Sequence, residues 1–226
     1  MEIRIKCQFL NEVFIMSHSC FISFKKEDEY YKDKIIEKLG KERIVGKSLD
    51  TWIDSDNIDY VMKVIREKYM KNTTVTLFLI GCHSSENEGL DENGYNKQSY
   101  IIRELQATLY DREGNPRDGL LGIVLPEMEN IVYSGNGVCP KCGKNVETIS
   151  INDSTVIREF STNYWLIKNK CGHYDETGRF AVLCKYSDFM NDPDRYIDAA
   201  FNKTKEEISN SVHFKDINHR GKLGSN

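Results

Sequence analysis

Residues 74–80 form an unbroken run of apolar and β-branched side chains, which is the strongest strand signal in the chain. A run of this kind, without polar alternation, is typical of a strand that is buried on both faces of a parallel sheet. Weaker runs of similar character occur at residues 20–24, 49–53, 119–125 and 179–185. The sequence therefore predicts an α/β protein with an open parallel sheet of about five strands.

Helical patterns lie between these strands. Apolar residues repeat at helical spacing from residue 27 to 39, after Asp56 or Asn57, from residue 98 to 110, and after Asp192-Pro193. Asp56 and Asn57 are both residue types that cap helices, and the sequence does not choose between them. The alternation predicts a flavodoxin-like arrangement, with right-handed crossover helices flanking the sheet.

A Cys-containing excursion, residues 126–178, interrupts this alternation between the fourth and fifth predicted strands. We expect one domain over residues 16–212, which includes the excursion, and a flexible polar tail over residues 213–226. Residues 1–15 precede Met16 and are predicted to be an N-terminal extension. Their alternating pattern also fits an extra edge strand, so both alternatives stay open.

Composition narrows the classes of function. The chain has 226 residues and a net charge of −4 without a basic block, so nucleic acid is not expected as a partner. Neither a membrane-spanning apolar run nor a signal-peptide pattern is found, so no membrane partner is expected. Among seven cysteines only Cys139 and Cys142 form a recognisable pair, which is typical of a reduced environment. The expected location is cytoplasmic.

Candidate ligand-binding residues cluster at the predicted carboxyl ends of the first three strands. In open parallel sheets, ligands bind beyond these strand ends, where the strand order reverses. Tyr100 and Glu104 are one turn apart on the third helix and therefore share a face. The candidates at this edge are Phe24, Lys25, Lys26, Trp52, Asp54, Cys82, His83, Tyr100 and Glu104. In the alternative interpretation Glu104 is a solvated helix residue, Trp52 belongs to the core, and the lysines form an ordinary polar loop.

Several segments resemble a known family. Residues 20–25, Cys-Phe-Ile-Ser-Phe-Lys, followed by an acidic and aromatic helix, resemble the first strand and loop of TIR-like (Toll/interleukin-receptor) domains. Residues 73–81 resemble the third strand of the TIR-like proteins of Thoeris anti-phage defence, and residues 98–105 resemble the helix that bears their catalytic glutamate. The similarity extends over residues 18–126, with Tyr100 standing where the family usually has tryptophan.

The resemblance implies a bacterial anti-phage enzyme of the NAD+ glycohydrolase or ADP-ribosyl cyclase type. Its substrate would be NAD, and its product an ADP-ribose-derived second messenger, expected to be cyclic. The resemblance gives Glu104 the catalytic role, because a carboxylate stabilises the oxocarbenium-like ribose left when the N-glycosidic bond breaks. The resemblance also implies that the other candidate residues at this edge bind NAD. It also implies a phage-derived trigger, a downstream effector reached through the diffusible nucleotide, and a homo-oligomer as a candidate assembly.

Two other classes of function compete with this interpretation. A non-catalytic TIR-like adaptor would act through surface contacts between domains and would not need Glu104. A flavodoxin-like phosphate-binding domain would carry a Gly-rich first loop, whereas residues 25–28 are all charged here. The enzyme is therefore the preferred prediction, with the adaptor as the alternative.

A second constellation lies in the excursion. Cys139 and Cys142 form a Cys-x2-Cys knuckle followed by glycine, which is a common half of a structural zinc site. Cys171 and His173 supply a second half with unusual spacing, and Cys184 is an alternative ligand. The other interpretation is a pair of reduced surface cysteines in a loop. If zinc binds, we expect it to be structural and to staple the excursion.

Overall fold

The computed structural model of the chain describes residues 18–51, 53, 55, 57–92, 94, 96–112 and 116–214. The predicted extension at residues 1–15, the candidate site residues Trp52 and Asp54, and the tail residues 215–226 lie outside this part of the chain. Within it, no helix combines the length and the apolar character that crossing a membrane requires.

The described residues form a parallel sheet with helices around it. The strands are β1 (Cys20–Ser23), β2 (Val75–Ile80), β3 (Gly119–Val124), β4 (Tyr133–Val138), β5 (Asn145–Ile149) and β6 (Val182–Lys185). The α-helices are α1 (Glu29–Leu39), α2 (Ile58–Lys68), α3 (Ser99–Leu109), α4 (Glu129–Val132), α5 (Arg158–Tyr164), α6 (Tyr186–Asn191) and α7 (Pro193–Lys203). Four strands pair in parallel in the order β1-β2-β3-β6, while β4 and β5 form a separate antiparallel hairpin. The predicted α/β fold is confirmed, and the second sheet lies inside the predicted excursion.

Helices cover both faces of the parallel sheet. On one face, Leu77 belongs to a buried cluster with Ile35 of α1 and Ile197 of α7. On the other face, Phe78 belongs to a cluster with Leu105 of α3. Successive strand residues point to opposite faces, so covering both faces buries β2 along its whole length. This is the arrangement that the unbroken apolar run predicted.

The predicted second strand at residues 49–53 is wrong, because none of the residues described there is in a strand. Beside β1 the chain instead makes one isolated parallel bridge, between Ile44 and Cys20, and the Val45 N–H donates to the Cys20 carbonyl at 2.9 Å. The Leu49 N–H donates to a carboxylate of α3 and is therefore unavailable for a strand ladder. The parallel sheet of the described residues consequently has four strands.

Short sequence signals set the ends of several helices. The Asn57 side chain accepts a hydrogen bond from the Tyr60 N–H at 3.1 Å and caps α2. Asp192 accepts from the Arg195 N–H at 3.4 Å and caps α7, which begins at a proline. Gly40 ends α1 with a φ of 87°, a value that favours glycine. The residue types at these positions therefore account for where the helices begin and end.

The ordered structure continues into the predicted flexible tail. The His213 N–H donates to the Asn163 Oδ1 atom of α5 at 2.9 Å. The Phe214 ring lies 5.2 Å from the Tyr110 ring, centroid to centroid, just after α3. The first two residues of the predicted tail are thus held against two helices.

Candidate active site

Glu104 lies in the second turn of α3 beside the carboxyl end of β1, and it is 2% exposed. Its Oε2 atom accepts a hydrogen bond from the Ser23 hydroxyl at 2.6 Å. Its Oε1 atom accepts one from the Leu49 N–H at 2.8 Å. Because both oxygens are held by donors, the orientation of the carboxyl group is fixed before any ligand binds.

The proton affinity of this carboxyl group is set mainly by burial. Burial raises the pKa of Glu104 to about 7, while the hydrogen bonds from Ser23 and Leu49 lower it and offset part of that effect. The group therefore exchanges its proton near neutral pH. A perturbed acid of this kind at a strand end is a functional-site candidate, although buried structural acids behave in the same way.

Three separate segments bring these groups together. Phe21 and Ser23 alternate with Cys20 and Ile22 along β1, so Ser23 points to the sheet face that α3 covers. Leu49 arrives after a turn at Gly46, which has a φ of 86°. A Cβ atom at Gly46 would lie 1.7 Å from the carbonyl oxygen of Tyr69, so only glycine fits there.

Tyr100 shares the α3 face with Glu104 but lies at the surface, 39% exposed. Tyr100 and Arg103 line a small cleft together with Leu49, Thr51 and Ile53. The segment that covers the Glu104 carboxyl group therefore forms one wall of this cleft. Tyr100 and Glu104 thus share one face of α3 as predicted, but Tyr100 lies at the surface and Glu104 is buried.

The residues predicted from the end of β1 point in several directions. Phe24 packs against the cluster on the α1 face, and the Lys32 Nζ atom lies 4.9 Å from its ring centroid. The Lys25 Nζ atom donates to the Lys97 carbonyl at 2.9 Å, and burial lowers the pKa of Lys25. Lys26 is exposed. In this conformation Ser23, and not Phe24, is the residue of the β1 end that contacts Glu104.

The end of β2 carries Cys82 and His83, which are both exposed. His83 Nδ1 lies 3.2 Å from the Glu88 Oε2 atom. Next to them is Asp28, a buried carboxyl group that the sequence did not single out. A Cβ atom at Gly81 would lie 2.4 Å from Asp28 Oδ1, so glycine makes room for this side chain. Burial, followed by nearby acidic side chains, raises the pKa of Asp28 to about 6.

The long loop that joins β2 to α3 is anchored near its start and its end. Gln98 is fully buried, and its side-chain amide donates to the carbonyls of His83 at 2.7 Å and Ser85 at 2.6 Å. The Ser85 hydroxyl in turn donates to the Asp153 carbonyl at 3.0 Å. The loop is thereby tied both to the start of α3 and to the excursion.

The four predicted metal ligands converge on one point. Cys139, Cys142, Cys171 and His173 each offer one ligand atom, and these atoms all lie within 4.8 Å of one another. The alternative ligand Cys184 is on β6, where it is buried in the core cluster of the sheet. The structure thus places Cys184 outside the group.

Neither of the two donors that hold Glu104 was predicted from the sequence. Ser23 had a usable signal, because a hydroxyl group on a strand with both faces covered needs a hydrogen-bond partner. The Leu49 N–H had none, since a backbone donor is common to almost every residue. Both contacts join parts of the chain that are far apart in sequence.

Comparison with known proteins supports the expected family. Residues 21–93 match the family described as Thoeris protein ThsB, TIR-like domain. No curated protein and no solved structure matches the chain. The matched segment includes β1 from its second residue, α1, the Gly46 turn, α2 and β2, and it ends before α3 and Glu104. Residues 21–93 are thus similar to the TIR-like domain of the Thoeris ThsB family.

Proposed function

We propose that this protein is an NAD-cleaving enzyme that releases an ADP-ribose-derived second messenger in anti-phage defence. The observation that carries the proposal is the Glu104 carboxyl group, buried at the carboxyl end of β1 and held by the Ser23 hydroxyl and the Leu49 N–H. The family match supports the same reaction class by resemblance.

The proposed reaction breaks the bond between the nicotinamide nitrogen and C1′ of the ribose. The bonding electron pair leaves with nicotinamide, which departs neutral, and the positive charge moves to the ribose as an oxocarbenium-like cation. The ionised Glu104 stabilises this cation by its negative charge. Attack by water gives ADP-ribose, whereas attack by a nucleophilic atom of the same molecule gives a cyclic product. Exclusion of water favours the cyclic product.

Substrate reaches Glu104 only when the covering segment moves. Since the side chain is 2% exposed, a ribose cannot approach its oxygens while the Leu49 N–H occupies Oε1. Movement of the segment that follows Gly46 would free this oxygen. The cationic nicotinamide ring would then favour the ionised form of a group whose pKa is about 7 in the closed site.

The remaining parts of the proposal rest on the resemblance. Lys25 and Lys26 would neutralise the pyrophosphate, and the aromatic rings of Phe24, Trp52 and Tyr100 would stack on the ligand. Asp54, Cys82 and His83 complete the proposed NAD site. We further propose a cytoplasmic protein that responds to a phage-derived trigger, assembles as a homo-oligomer, and signals to its effector through the nucleotide.

Replacing Glu104 by glutamine tests the proposal. We expect Glu104→Gln to reduce NAD consumption in phage-infected cells by roughly 100- to 1,000-fold, because the amide has the same shape but lacks the charge. NAD and ADP-ribose derivatives are measured by liquid chromatography and mass spectrometry, with and without infection.

Glu159 offers a matched control. It is also buried, 7% exposed, and burial raises its pKa to about 7, but it bonds to Gln106 and not to Ser23. Glu159→Gln should therefore leave NAD consumption close to that of the wild type. Undiminished NAD loss in Glu104→Gln would remove the catalytic assignment. Defence signalling by the wild type without any nucleotide product would support the adaptor instead.

A further inference from the structure

Two tight turns of the excursion bring four potential metal ligands to one point. The turn at residues 139–144 joins β4 to β5 and carries Cys139 and Cys142, while the turn at residues 168–174 carries Cys171 and His173. Their four ligand atoms lie within 4.8 Å of one another. Tetrahedral zinc with bonds of about 2.1–2.3 Å holds its ligand atoms roughly 3.5–3.8 Å apart. Closing around an ion therefore requires only small movements of side chains.

Both turns have the backbone conformation that such a site requires. Gly143 and Gly172 have φ values of 69° and 88°, in the region that favours glycine. The Gly143 N–H donates to the Cys139 carbonyl at 2.8 Å, and the Gly172 N–H donates to the Asn169 carbonyl at 2.9 Å. The Asn169 side chain also accepts from the Cys171 N–H at 2.9 Å. The two pairs of ligands are therefore positioned by hydrogen-bonded turns.

The hairpin that ends in the first turn has little else to hold its tip. All residues of β4 and β5 are at least partly exposed, and β4 contains two glycines, which weaken a strand. The apolar contacts of the hairpin with the core come from Tyr133 and Ile149, at the end away from the turn. Val138, next to the turn, is 64% exposed. An isolated two-stranded hairpin is marginally stable in water, so a metal crosslink at its tip would account for its order.

The charges around the two turns suit a zinc–thiolate centre. Three thiols that bind zinc lose their protons, so a Cys3His centre with neutral histidine carries a net charge of −1. The same turns carry four lysines, Lys141, Lys144, Lys168 and Lys170. The positive charges of these lysines offset the negative charge of the zinc–thiolate centre. A surface cavity of about 360 Å³ borders Cys142, Cys171 and His173, and it gives an ion a route into the site.

We propose that Cys139, Cys142, Cys171 and His173 bind one zinc ion, which fixes the tip of the β4–β5 hairpin to the turn at residues 168–174. Four protein ligands complete the tetrahedral coordination, so the ion has a structural role and no open position for a substrate. This inference is independent of NAD chemistry.

The test is the metal content of the full chain, purified under reducing conditions without chelator or a metal-affinity column. We expect about one zinc per chain. Replacement of the zinc by cobalt should give the visible absorption of a tetrahedral cobalt–thiolate centre. Cys171→Ser and His173→Asn should each weaken zinc binding more than about tenfold in competition with a chromogenic chelator. Cys82→Ser and His83→Asn are matched controls at exposed positions outside the cluster, and both should bind zinc like the wild type.

Three results would overturn the proposal. The first is wild-type protein without zinc that fails to bind added cobalt. The second is unchanged zinc affinity in Cys171→Ser and His173→Asn. The third is a disulfide between Cys139 and Cys142 in the wild type, detected as a mass two hydrogens below that of the free thiols and located by peptide mapping. If the ligand variants do not fold, the cobalt spectrum of the wild type still shows whether the protein has a tetrahedral thiolate site.

Discussion

At the scale of single residues, Ser23 is the β1 residue that contacts the Glu104 carboxyl group. Its hydroxyl is fully buried and donates to Glu104 Oε2 at 2.6 Å. A charge-assisted hydrogen bond of this kind contributes about 1.5–3 kcal/mol to the ionised form. Ser23 therefore holds the pKa of Glu104 below the value that burial alone would impose.

Ser23→Ala should raise the pKa of Glu104, because it removes a donor that favours the ionised form. If ionised Glu104 is required for NAD cleavage, activity rises with pH as the group loses its proton. We expect the acid limb of the pH–rate profile to move up by about one pH unit. The measurement is NAD turnover by activated protein between about pH 5 and pH 9.

Ser84→Ala is the control for this substitution. Ser84 is also fully buried at a strand end, but its hydroxyl accepts from the Gly81 N–H at 2.9 Å and donates to the Leu79 carbonyl at 3.1 Å. Its loss should change stability without moving the acid limb. A Ser23→Ala profile that coincides with the wild-type profile would contradict the positioning role of Ser23.

At the scale of elements, the turn at Gly46 decides the course of the chain beside β1. Up to Val45 the chain runs along β1, and after Gly46 it leaves the sheet edge and supplies the Leu49 N–H to α3. The Lys47 N–H donates to the Tyr69 carbonyl at 3.2 Å and fixes the turn against the end of α2. At Gly46 the chain thus stops running beside β1, and the segment that follows covers the candidate site.

Gly46→Ala should destabilise the protein for two reasons. A positive φ costs a residue with a Cβ atom about 1–2 kcal/mol, and the new Cβ atom would also clash with the Tyr69 carbonyl. We expect the free energy of unfolding to fall by more than about 2 kcal/mol, measured by denaturant titration.

Gly89→Ala separates the two causes. Gly89 has a φ of 82°, but a Cβ atom there would meet nothing within 4 Å. It should therefore lose only the conformational contribution, about 1–2 kcal/mol. Equal losses in the two variants would show that the contact at Gly46 does not constrain the turn.

At the scale of the whole molecule, several carboxyl groups are buried, and loss of solvent favours their protonated form. Burial raises the pKa of Glu104 and Glu159 to about 7, and burial with neighbouring acids raises that of Asp28 to about 6. Each group binds its proton more tightly in the folded state than in the unfolded state. The stability that these groups contribute is complete below their unfolded pKa values, near pH 4, and is lost as the pH rises through 6 and 7.

Neutral replacement should therefore flatten the pH dependence of stability. Relative to the wild type, Glu104→Gln and Glu159→Gln should each gain up to roughly 3 kcal/mol between pH 5 and pH 8. Urea unfolding at these two pH values measures the difference, and Glu67→Gln on the exposed surface of α2 should leave it unchanged. Two glutamine variants that follow the wild-type pH dependence would show that both acids ionise freely in the folded protein.

The sequence by itself determined the parts of this protein that depend on short segments. The unbroken apolar run predicted β2, Asp56 or Asn57 predicted the start of α2, and Asp192-Pro193 predicted the start of α7. Each of these signals lies within a few residues of the structure that it specifies. The parallel arrangement followed from the order of such segments.

Only the tertiary structure decided what surrounds Glu104. Its bond with Ser23 joins residues 81 positions apart, and its bond with Leu49 spans 55 positions. The second of these bonds also occupies the Leu49 N–H, and the residues described between 49 and 53 are not in the predicted strand. In the same way, the spacing of Cys139 and Cys142 indicated two candidate metal ligands, but folding brought Cys171 and His173 close to them. Contacts of this kind depend on packing between distant segments, which local propensity and hydrophobic period do not encode.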